Sequence, residues 1–237
     1  MNLRDEWESH AERWAVWART PAHDHHFWEV NLPAFLELVP PAGRLTVDLG
    51  CGEGRLGRLL QERGHQVVGF DGSPTLTFLA ATHEDAHPVA LADIAALPVQ
   101  SGVADLAIAF MSLHDVDDMT GSVREAARVL SPGGRLCLAV VHPLNSAGAF
   151  VDDSAESPFV VGGQYLERFR YVDEIERDGL PMTFHSYHHP LGAYMGALED
   201  AGFLVESVRE PLDPLPGDKH ARWRRLPLFL QARAVLR

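Results

Sequence analysis

A strand, a glycine-rich turn and a helix follow one another directly near residue 45. Residues 45–49 are mostly apolar and β-branched, which is typical of a buried strand. Glycine then stands at every second position from Gly50 to Gly54, and leucines at helical spacing follow between residues 56 and 60. Glycine lets the backbone turn sharply and lets a ligand approach the main chain closely. This order is typical of the first unit of a nucleotide-binding domain, so it predicts an α/β fold.

The glycine spacing differs from that of dinucleotide-binding domains. Those domains need the pattern G-x-G-x-x-G, and Arg55 stands where their third glycine would be. The strand also carries an acid, Asp48, close to the turn. A carboxylate beside the turn opposes a pyrophosphate but suits a ligand that carries an ammonium group. The turn is therefore interpreted as a site for S-adenosylmethionine (SAM).

Two further acids follow the next two predicted strands. Asp71 ends the strand at 66–70, where a carboxylate can accept hydrogen bonds from both ribose hydroxyls. Capping of the next helix is the alternative role for Asp71, although Ser73 suits that role better. Asp93 follows the third strand, where its carboxylate can accept a hydrogen bond from the exocyclic amine of adenine. The acids therefore recur at one edge of the predicted sheet.

The fourth and fifth predicted strands locate the rest of the site. Residues 103–110 and 135–141 are almost continuously apolar, as strands buried on both faces are. Ligands of open α/β sheets bind at the carboxyl ends of the strands. Residues 110–115 and His142 are therefore expected to border the bound ligand.

The C-terminal region predicts a reversed final strand. Strand-like segments at 203–209 and 228–236 are separated by a linker with prolines at positions 211, 214 and 216. These prolines leave little room for the crossover helix that parallel neighbours require. The last strand is therefore expected to run antiparallel to the others.

Two regions outside the sheet are predicted to form caps over the site. The N-terminal helix carries Trp7, Trp14 and Trp17 on one face. The insertion after the fifth strand has β character and a turn signal at Asp178 and Gly179. The predicted boundaries of this single domain, residues 1–237, are 1–40 for the N-terminal helical cap, 41–143 and 190–237 for the core, and 144–189 for the inserted cap.

Histidines at positions 23, 25 and 26 raise the question of a metal site. Adjacent histidine side chains point in divergent directions, and no cysteine or aspartate set follows at metal-ligand spacing. No metal site is predicted from the sequence.

Net charge and cysteine content limit the expected partners. A formal net charge of −13 disfavours a nucleic-acid substrate. The two cysteines, Cys51 and Cys137, lie in predicted core elements, so no disulfide framework is expected and a cytoplasmic location fits. No signal peptide and no membrane-spanning segment are predicted.

Four motifs together give the chain a recognisable family resemblance. They are VDLGCGEG at 47–54, GFDGS at 69–73, ADI at 92–94 and EAARVLSPGG at 125–134. The chain resembles class I SAM-dependent methyltransferases of the small-molecule type, similar to those of ubiquinone and menaquinone biosynthesis. The resemblance implies a Rossmann-like, mostly parallel sheet of seven strands in the order 3-2-1-4-5-7-6, with strand 7 antiparallel.

The resemblance also implies which residues bind SAM. For the methionine part they are Asp48, Gly50, Cys51, Gly52, Gly54 and Met111, with Arg19 at the carboxylate; for the ribose they are Asp71, Gly72 and Ser73; for the adenine they are Asp93 and Ile94.

The acceptor side is less clearly defined by the sequence. Histidine titrates near neutral pH, so His114 and His142 are candidate general bases, and His114 is the preferred one. The candidate acceptor-binding residues are Trp14, Trp17, His114, His142, Tyr187 and His188.

The expected function is methyl transfer to an oxygen, nitrogen or carbon atom of a small molecule, by a monomer or homodimer. A nicotinamide-dependent oxidoreductase is opposed by the glycine spacing, by Asp48 and by the antiparallel ending. A SAM-binding regulator without catalysis and a protein methyltransferase stay open as alternatives.

Overall fold

The computed structural model describes residues 2–20 and 22–237. Its strands in chain order are β1 (Thr46–Leu49), β2 (Val67–Asp71), β3 (Val89–Leu91), β4 (Ala104–Phe110), β5 (Leu130–Val141), β6 (Gly148–Phe150), β7 (Phe159–Val161), β8 (Phe169–Arg177), β9 (Leu180–His188), β10 (Phe203–Arg209) and β11 (Phe229–Leu236). Its α-helices are α1 (Leu3–Arg19), α2 (Leu32–Leu38), α3 (Arg55–Glu62), α4 (Pro74–Ala81), α5 (Met119–Val129), α6 (Pro143–Ser146), α7 (Leu191–Asp200) and α8 (Asp218–Ala221). A π-helical segment, His26–Asn31, leads directly into α2, and a 3₁₀ turn, Arg222–Arg224, follows α8.

Seven of these strands form one sheet, in the order β10-β11-β5-β4-β1-β2-β3. β11 is antiparallel to both of its neighbours, β10 and β5. The other recorded pairs, β1 with β2, β1 with β4, β2 with β3 and β4 with β5, are parallel. The predicted fold class, strand order and reversed last strand are confirmed.

The fifth strand begins earlier than the sequence predicted. Residues 131–134 are serine, proline and two glycines, which favour a turn after the preceding helix, so the sequence predicts that the strand begins at Arg135. Leu130 already pairs with Ala104, and a register shift follows before Arg135 pairs with Leu106. The turn residues therefore lie within an irregular start of β5, because an irregular register accommodates residues that a regular ladder excludes.

Alternate residues of β5 face opposite sides of the sheet, as strand geometry requires. Leu136 and Leu138 belong to the core beneath α5 and α7. Cys137 and Ala139 belong to the core beneath α2 and α3. Because helices cover both faces, the central strands are apolar on both sides, as the sequence predicted.

A buried amide joins the final strand to the N-terminal region. Gln231 on β11 is completely buried. Its amide nitrogen donates to the backbone carbonyl and to the side-chain oxygen of Asn31, each at 2.8 Å. These two hydrogen bonds hold the π-helical segment against β11.

The insertion after β5 forms two antiparallel pairs, β6 with β7 and β8 with β9. The predicted turn at Asp178 connects β8 to β9. The β8–β9 hairpin packs on α1 through aromatic contacts: Phe184 lies 6.2 Å from both Trp7 and Trp17, measured between ring centroids. The helix and the hairpin therefore form one continuous cover.

No helix in the described part of the chain combines the length and the apolar character that crossing a lipid bilayer requires. Both cysteines are free and buried.

Candidate functional site

A cavity of about 390 Å³ lies at the carboxyl ends of the central strands. Its floor includes residues that follow β1, β2, β3 and β4, and its cover includes residues of α1, β8 and β9. Ligands of open α/β sheets bind at this edge. The sheet and the two predicted caps therefore enclose one shared space.

The glycine loop has a backbone that other residues rarely adopt. Gly50, Gly52 and Gly54 have φ angles of 77°, 57° and 85°, and positive φ strongly favours glycine. A Cβ on Gly50 would lie 2.5 Å from the Cβ of Ser112, and one on Gly52 would lie 2.8 Å from the ring of Trp14. The loop therefore needs glycine for both its conformation and its close contacts. Gly50 and Gly52 line the cavity with Cys51, whereas Gly54 is not among the lining residues.

Asp48 is a buried acid with an open hydrogen-bonding position. Its residue is only 2% exposed, and its Oδ2 atom has no hydrogen-bond partner among the described residues. Burial, with the nearby negative charge of Asp71, raises the pKa of Asp48 to about 7. A buried carboxylate without a partner is costly, so the site favours a ligand with a positive group.

Asp71 connects the end of β2 to the glycine loop. Its carboxylate accepts hydrogen bonds from the backbone N–H of Gly52 at 2.8 Å and from that of Ser73 at 2.9 Å. Burial raises the pKa of Asp71, while these hydrogen bonds oppose the shift. Ser73 accepts from the backbone N–H of Leu76 and caps α4, as predicted. Asp71, Gly72 and Ser73 all line the cavity.

The far end of the cavity is bordered by the turn after β3. Asp93 and Ile94 both line it. Ile94 is 3% exposed, whereas Asp93 lies at the surface and forms an ion pair with Arg4 at 3.6 Å. This end thus combines an apolar wall with an exposed carboxylate.

Three arginines lie close to the glycine loop, Arg19, Arg55 and Arg58, and of these three Arg55 alone lines the cavity. Arg19 pairs with the buried Glu53 at 3.0 Å and is absent from the lining. Arg55 lines the cavity, pairs with Asp24 at 2.7 Å and lies 3.4 Å above the centre of the Phe27 ring. The basic group that the cavity offers beside the loop is therefore Arg55.

The end of β4 carries a backbone feature that the sequence did not predict. Met111 lines the cavity with a φ angle of 57°. Positive φ is uncommon for a residue with a side chain and is often found at functional sites. Its backbone N–H donates to Ala139 at 2.8 Å, which holds this turn against β5.

The cap contributes polar side chains to the cavity. Tyr171, Asp173 and Ile175 are alternate residues of β8, and all three line the cavity because alternate residues share a face of a strand. Ser186 on β9 donates to the buried Asp115 at 2.6 Å. Burial raises the pKa of Asp115 well above its usual value. Partial withdrawal from water at the cavity also raises the pKa of Asp173, although the residue as a whole stays exposed.

The two candidate histidine bases occupy different environments. His114 lines the cavity, its Nδ1 has no partner among the described residues, and its Nε2 lies 3.6 Å from Asp115. Burial lowers the pKa of His114 to about 3, so the ring is neutral and weakly basic. His142 is outside the lining; it accepts from the backbone N–H of Leu144 and pairs with Glu210 at 3.0 Å.

Of the remaining predicted acceptor-binding residues, one lines the cavity and three do not. Trp14 lines the cavity. Trp17 is buried against Phe184 of the hairpin and does not line the cavity. Tyr187 and His188 also lie outside the lining, and both ring nitrogens of His188 have partners, Ser146 and the carbonyl of Tyr165.

Sequence reasoning missed several lining residues, among them Arg4, Asp24, Arg55, Tyr171, Asp173, Phe184 and Ser186. Period-two alternation along β8 could have identified one hairpin face. It could not have said which face covers the sheet.

Comparisons with known proteins identify the family. The methyltransferase domain family matches residues 47–138. A ubiquinone biosynthesis O-methyltransferase of Xanthomonas axonopodis pv. citri is 30% identical over 215 residues, which cover 86% of this chain and 81% of that protein. A malonyl-[acyl-carrier protein] O-methyltransferase of Salmonella typhimurium is 34% identical over 117 residues, so this match spans about half of either chain, 47% in each case.

A solved structure is similar over most of the chain. The crystal structure of a SAM-dependent methyltransferase from Mesorhizobium loti has a TM-score of 0.68 and 26% identity, and the match covers 86% of this chain and 96% of that one. With the motifs, the strand order and the cavity, these similarities are sufficient to assign the family. The chain belongs to the class I SAM-dependent methyltransferases, and SAM is its methyl donor.

Proposed function

We propose that this enzyme methylates a small molecule through a hydroxyl or amino group that is held between the sheet and the hairpin. The observation that carries the proposal is the shared cavity, in which the glycine loop forms one wall and the polar face of β8 another. A volume of about 390 Å³ suits small ligands. The relatives from Xanthomonas axonopodis pv. citri and Salmonella typhimurium are both O-methyltransferases, which supports an oxygen nucleophile for this enzyme too.

The residues at the glycine loop fit SAM. The partnerless Oδ2 of Asp48 suits the ammonium group of its methionine part, and Gly50 and Gly52 line the cavity beside it. When bound, SAM would supply a methyl group on a positively charged sulfur, and the sulfur would be the leaving group when a nucleophile attacks the methyl carbon in line. Cys51 and Met111 complete the wall at this end.

The adenosine part is assigned to the ends of β2 and β3. Asp71, already aligned by two backbone N–H groups, has carboxylate lone pairs left for the ribose hydroxyls. Ile94 forms an apolar wall for adenine, and Asp93 lies beside it as an acceptor for the amine.

Arg55 is the proposed partner of the SAM carboxylate, in place of Arg19. Arg55 lies at the cavity wall, 5.4 Å from the ring of Trp14, which in turn covers Gly52. Asp24 and the Phe27 ring hold the guanidinium in position. Arg19 instead stabilises the loop indirectly, through Glu53.

On the acceptor side, we assign proton removal to Asp173 and orientation of the acceptor to His114. A carboxyl group whose pKa is raised is a better base near neutral pH than a histidine whose pKa is about 3. The neutral ring of His114 still offers a hydrogen bond to an acceptor hydroxyl or amine. The role of His114 as the base is therefore replaced by a positioning role in this proposal.

Incubation with SAM that carries a labelled methyl group, together with fractionated cell extract, tests the acceptor class. We expect the label in the small-molecule fraction, and we expect an excess of the demethylated product S-adenosylhomocysteine to prevent labelling. Label found only in protein would overturn the acceptor class. Absence of label from both fractions would overturn catalysis on an acceptor from that extract.

The pKa of Asp48 makes cofactor affinity depend on pH. Below about pH 7 the free enzyme holds Asp48 protonated, and the carboxyl must lose its proton to face an ammonium group. Affinity for S-adenosylhomocysteine, which carries the same ammonium group, should rise by up to about tenfold per unit between about pH 5.5 and 7. Calorimetric titration across this range measures it. Asp48→Asn should remove the slope attributed to this residue, and an unchanged slope would contradict the assignment.

The two arginines give a matched comparison. Arg55→Gln should weaken S-adenosylhomocysteine binding by roughly 10- to 100-fold, because a hydrogen bond between charged groups is worth about 1.5–3 kcal/mol. Arg19→Gln should weaken it by less than about threefold, since Glu53 keeps its pair with Arg58. Calorimetry measures S-adenosylhomocysteine affinity in both variants. A larger loss of affinity in Arg19→Gln than in Arg55→Gln would identify Arg19 as the partner of the carboxylate.

Substitutions of two adjacent acids on β8, Asp173 and Glu174, test the assignment of Asp173 as the base. Asp173→Asn should lower kcat by about 10²–10⁴ while S-adenosylhomocysteine affinity is retained. Glu174→Gln is the control, because Glu174 is absent from the cavity lining, and its kcat should match that of the parent. The pH profile of kcat should also lose its acidic limb in Asp173→Asn. Full activity of Asp173→Asn on the identified acceptor would exclude the role.

A further inference from the structure

Three histidines and a buried aspartate meet beside the cavity, although they come from distant parts of the chain. One ring nitrogen from each of His25, His26 and His220 lies within 4.8 Å of the others. The ring centroids of His25 and His26 are 4.5 Å apart. The ring centroid of His220 lies 5.5 Å from that of His25 and 5.6 Å from that of His26. Adjacent histidines were expected to diverge, and here both contact the same third ring.

Asp213 orients one member of this group. Its side chain is completely buried, and its Oδ2 pairs with Nδ1 of His220 at 2.8 Å. A carboxylate that holds one ring nitrogen of a histidine leaves the other nitrogen for a metal ion, an arrangement common around metal ligands. The same Oδ2 lies 3.8 Å from Nε2 of His26, too far for a hydrogen bond.

His26 supplies a second, independent observation. Its Nε2 is buried and has no hydrogen-bond partner among the described residues. Buried polar atoms are normally satisfied, so an unsatisfied one calls for an explanation such as an ion. His26 also lines the cavity, which gives an ion a route to this atom.

We propose that His25, His26 and His220, with Asp213 behind them, form a binding site for a divalent transition metal ion of the Zn²⁺ type. Imidazole ligands suit such ions, and three histidines with an open fourth position are an established ligand set. Nitrogen ligands of tetrahedral Zn²⁺ lie about 3.4 Å apart, so shifts of about 1 Å would bring the three rings onto one ion. The ion would join the segment before α2 to the loop that carries α8, at the cavity wall.

The guanidinium of Arg177 disfavours metal binding at His25, and this gives a further test of the proposed site. Arg177 lies 2.6 Å from Nδ1 of His25, measured from its Nη1. Its positive charge repels a metal ion, and its hydrogen bond competes for the ring. Asp24 and Asp178 lie near enough to offset part of that charge. Removal of Arg177 should therefore strengthen metal binding.

Metal titration of the tag-free, full-length protein tests the proposal after treatment with a chelator. Calorimetry with Zn²⁺ should give one equivalent bound, and Co²⁺ should give the visible absorption of a low-symmetry site. His26→Asn and His220→Asn should each weaken Zn²⁺ binding by at least about tenfold. Arg177→Gln should strengthen it by several fold.

His10→Asn is the matched control. His10 and His185 stack at 5.5 Å between ring centroids and form another histidine pair at the surface. If His10→Asn abolishes binding while His26→Asn and His220→Asn do not, the proposed site is wrong. Absence of saturable Zn²⁺ binding also overturns it. A cooperative thermal unfolding transition, measured without metal, confirms that each variant is folded. Because metal binding is measured without SAM or acceptor, its failure leaves the methyl-transfer proposal untouched.

Discussion

The carboxylate of Asp71 holds the glycine loop against the end of β2. It accepts a backbone N–H from Gly52 on one side and from Ser73 on the other. The loop has positive φ angles at three glycines, and such a backbone needs fixed partners to stay in one conformation. The hydrogen bonds of one acid thus set the distance between the first two strand ends, around which the rest of the cavity is built.

Asp71 and its neighbour Asp48 make the site electrostatically unfavourable without a positively charged partner. Asp48 is buried and Asp71 is half-buried; the charge of Asp71 disfavours ionisation of Asp48, and the charge of Glu8 disfavours ionisation of Asp71. Isolated buried charges cost free energy unless a partner compensates for them. A ligand with positive groups supplies that partner, so the energetic cost of the acids in the free protein becomes selectivity for a cationic ligand such as SAM.

The cover of the cavity depends on contacts between two regions that are far apart in sequence. Trp7 and Trp17 of α1 meet Phe184 of β9. The tryptophan face, the hairpin and its turn were all predictable, because period and turn chemistry are local signals. Which hairpin face covers the sheet was not predictable. The proposals that Asp173 removes the proton and that His114 positions the acceptor depend on burial and cavity contacts, which only the tertiary structure supplies.

The sequence by itself determined the reversed final strand and the acids at the strand ends, because glycine spacing, proline content and apolar periodicity act over a few residues. The order of the strands followed from the family resemblance of its motifs. Only the tertiary structure decided that Arg55 and not Arg19 lines the cavity, and that His25 and His26 meet His220 across almost 200 residues. Such pairings depend on how separate elements pack, and no local pattern records the packing. The glycine loop therefore identified the methyl donor, whereas the cavity proposed for the acceptor is closed only by the folding of α1 and the β8–β9 hairpin over the sheet.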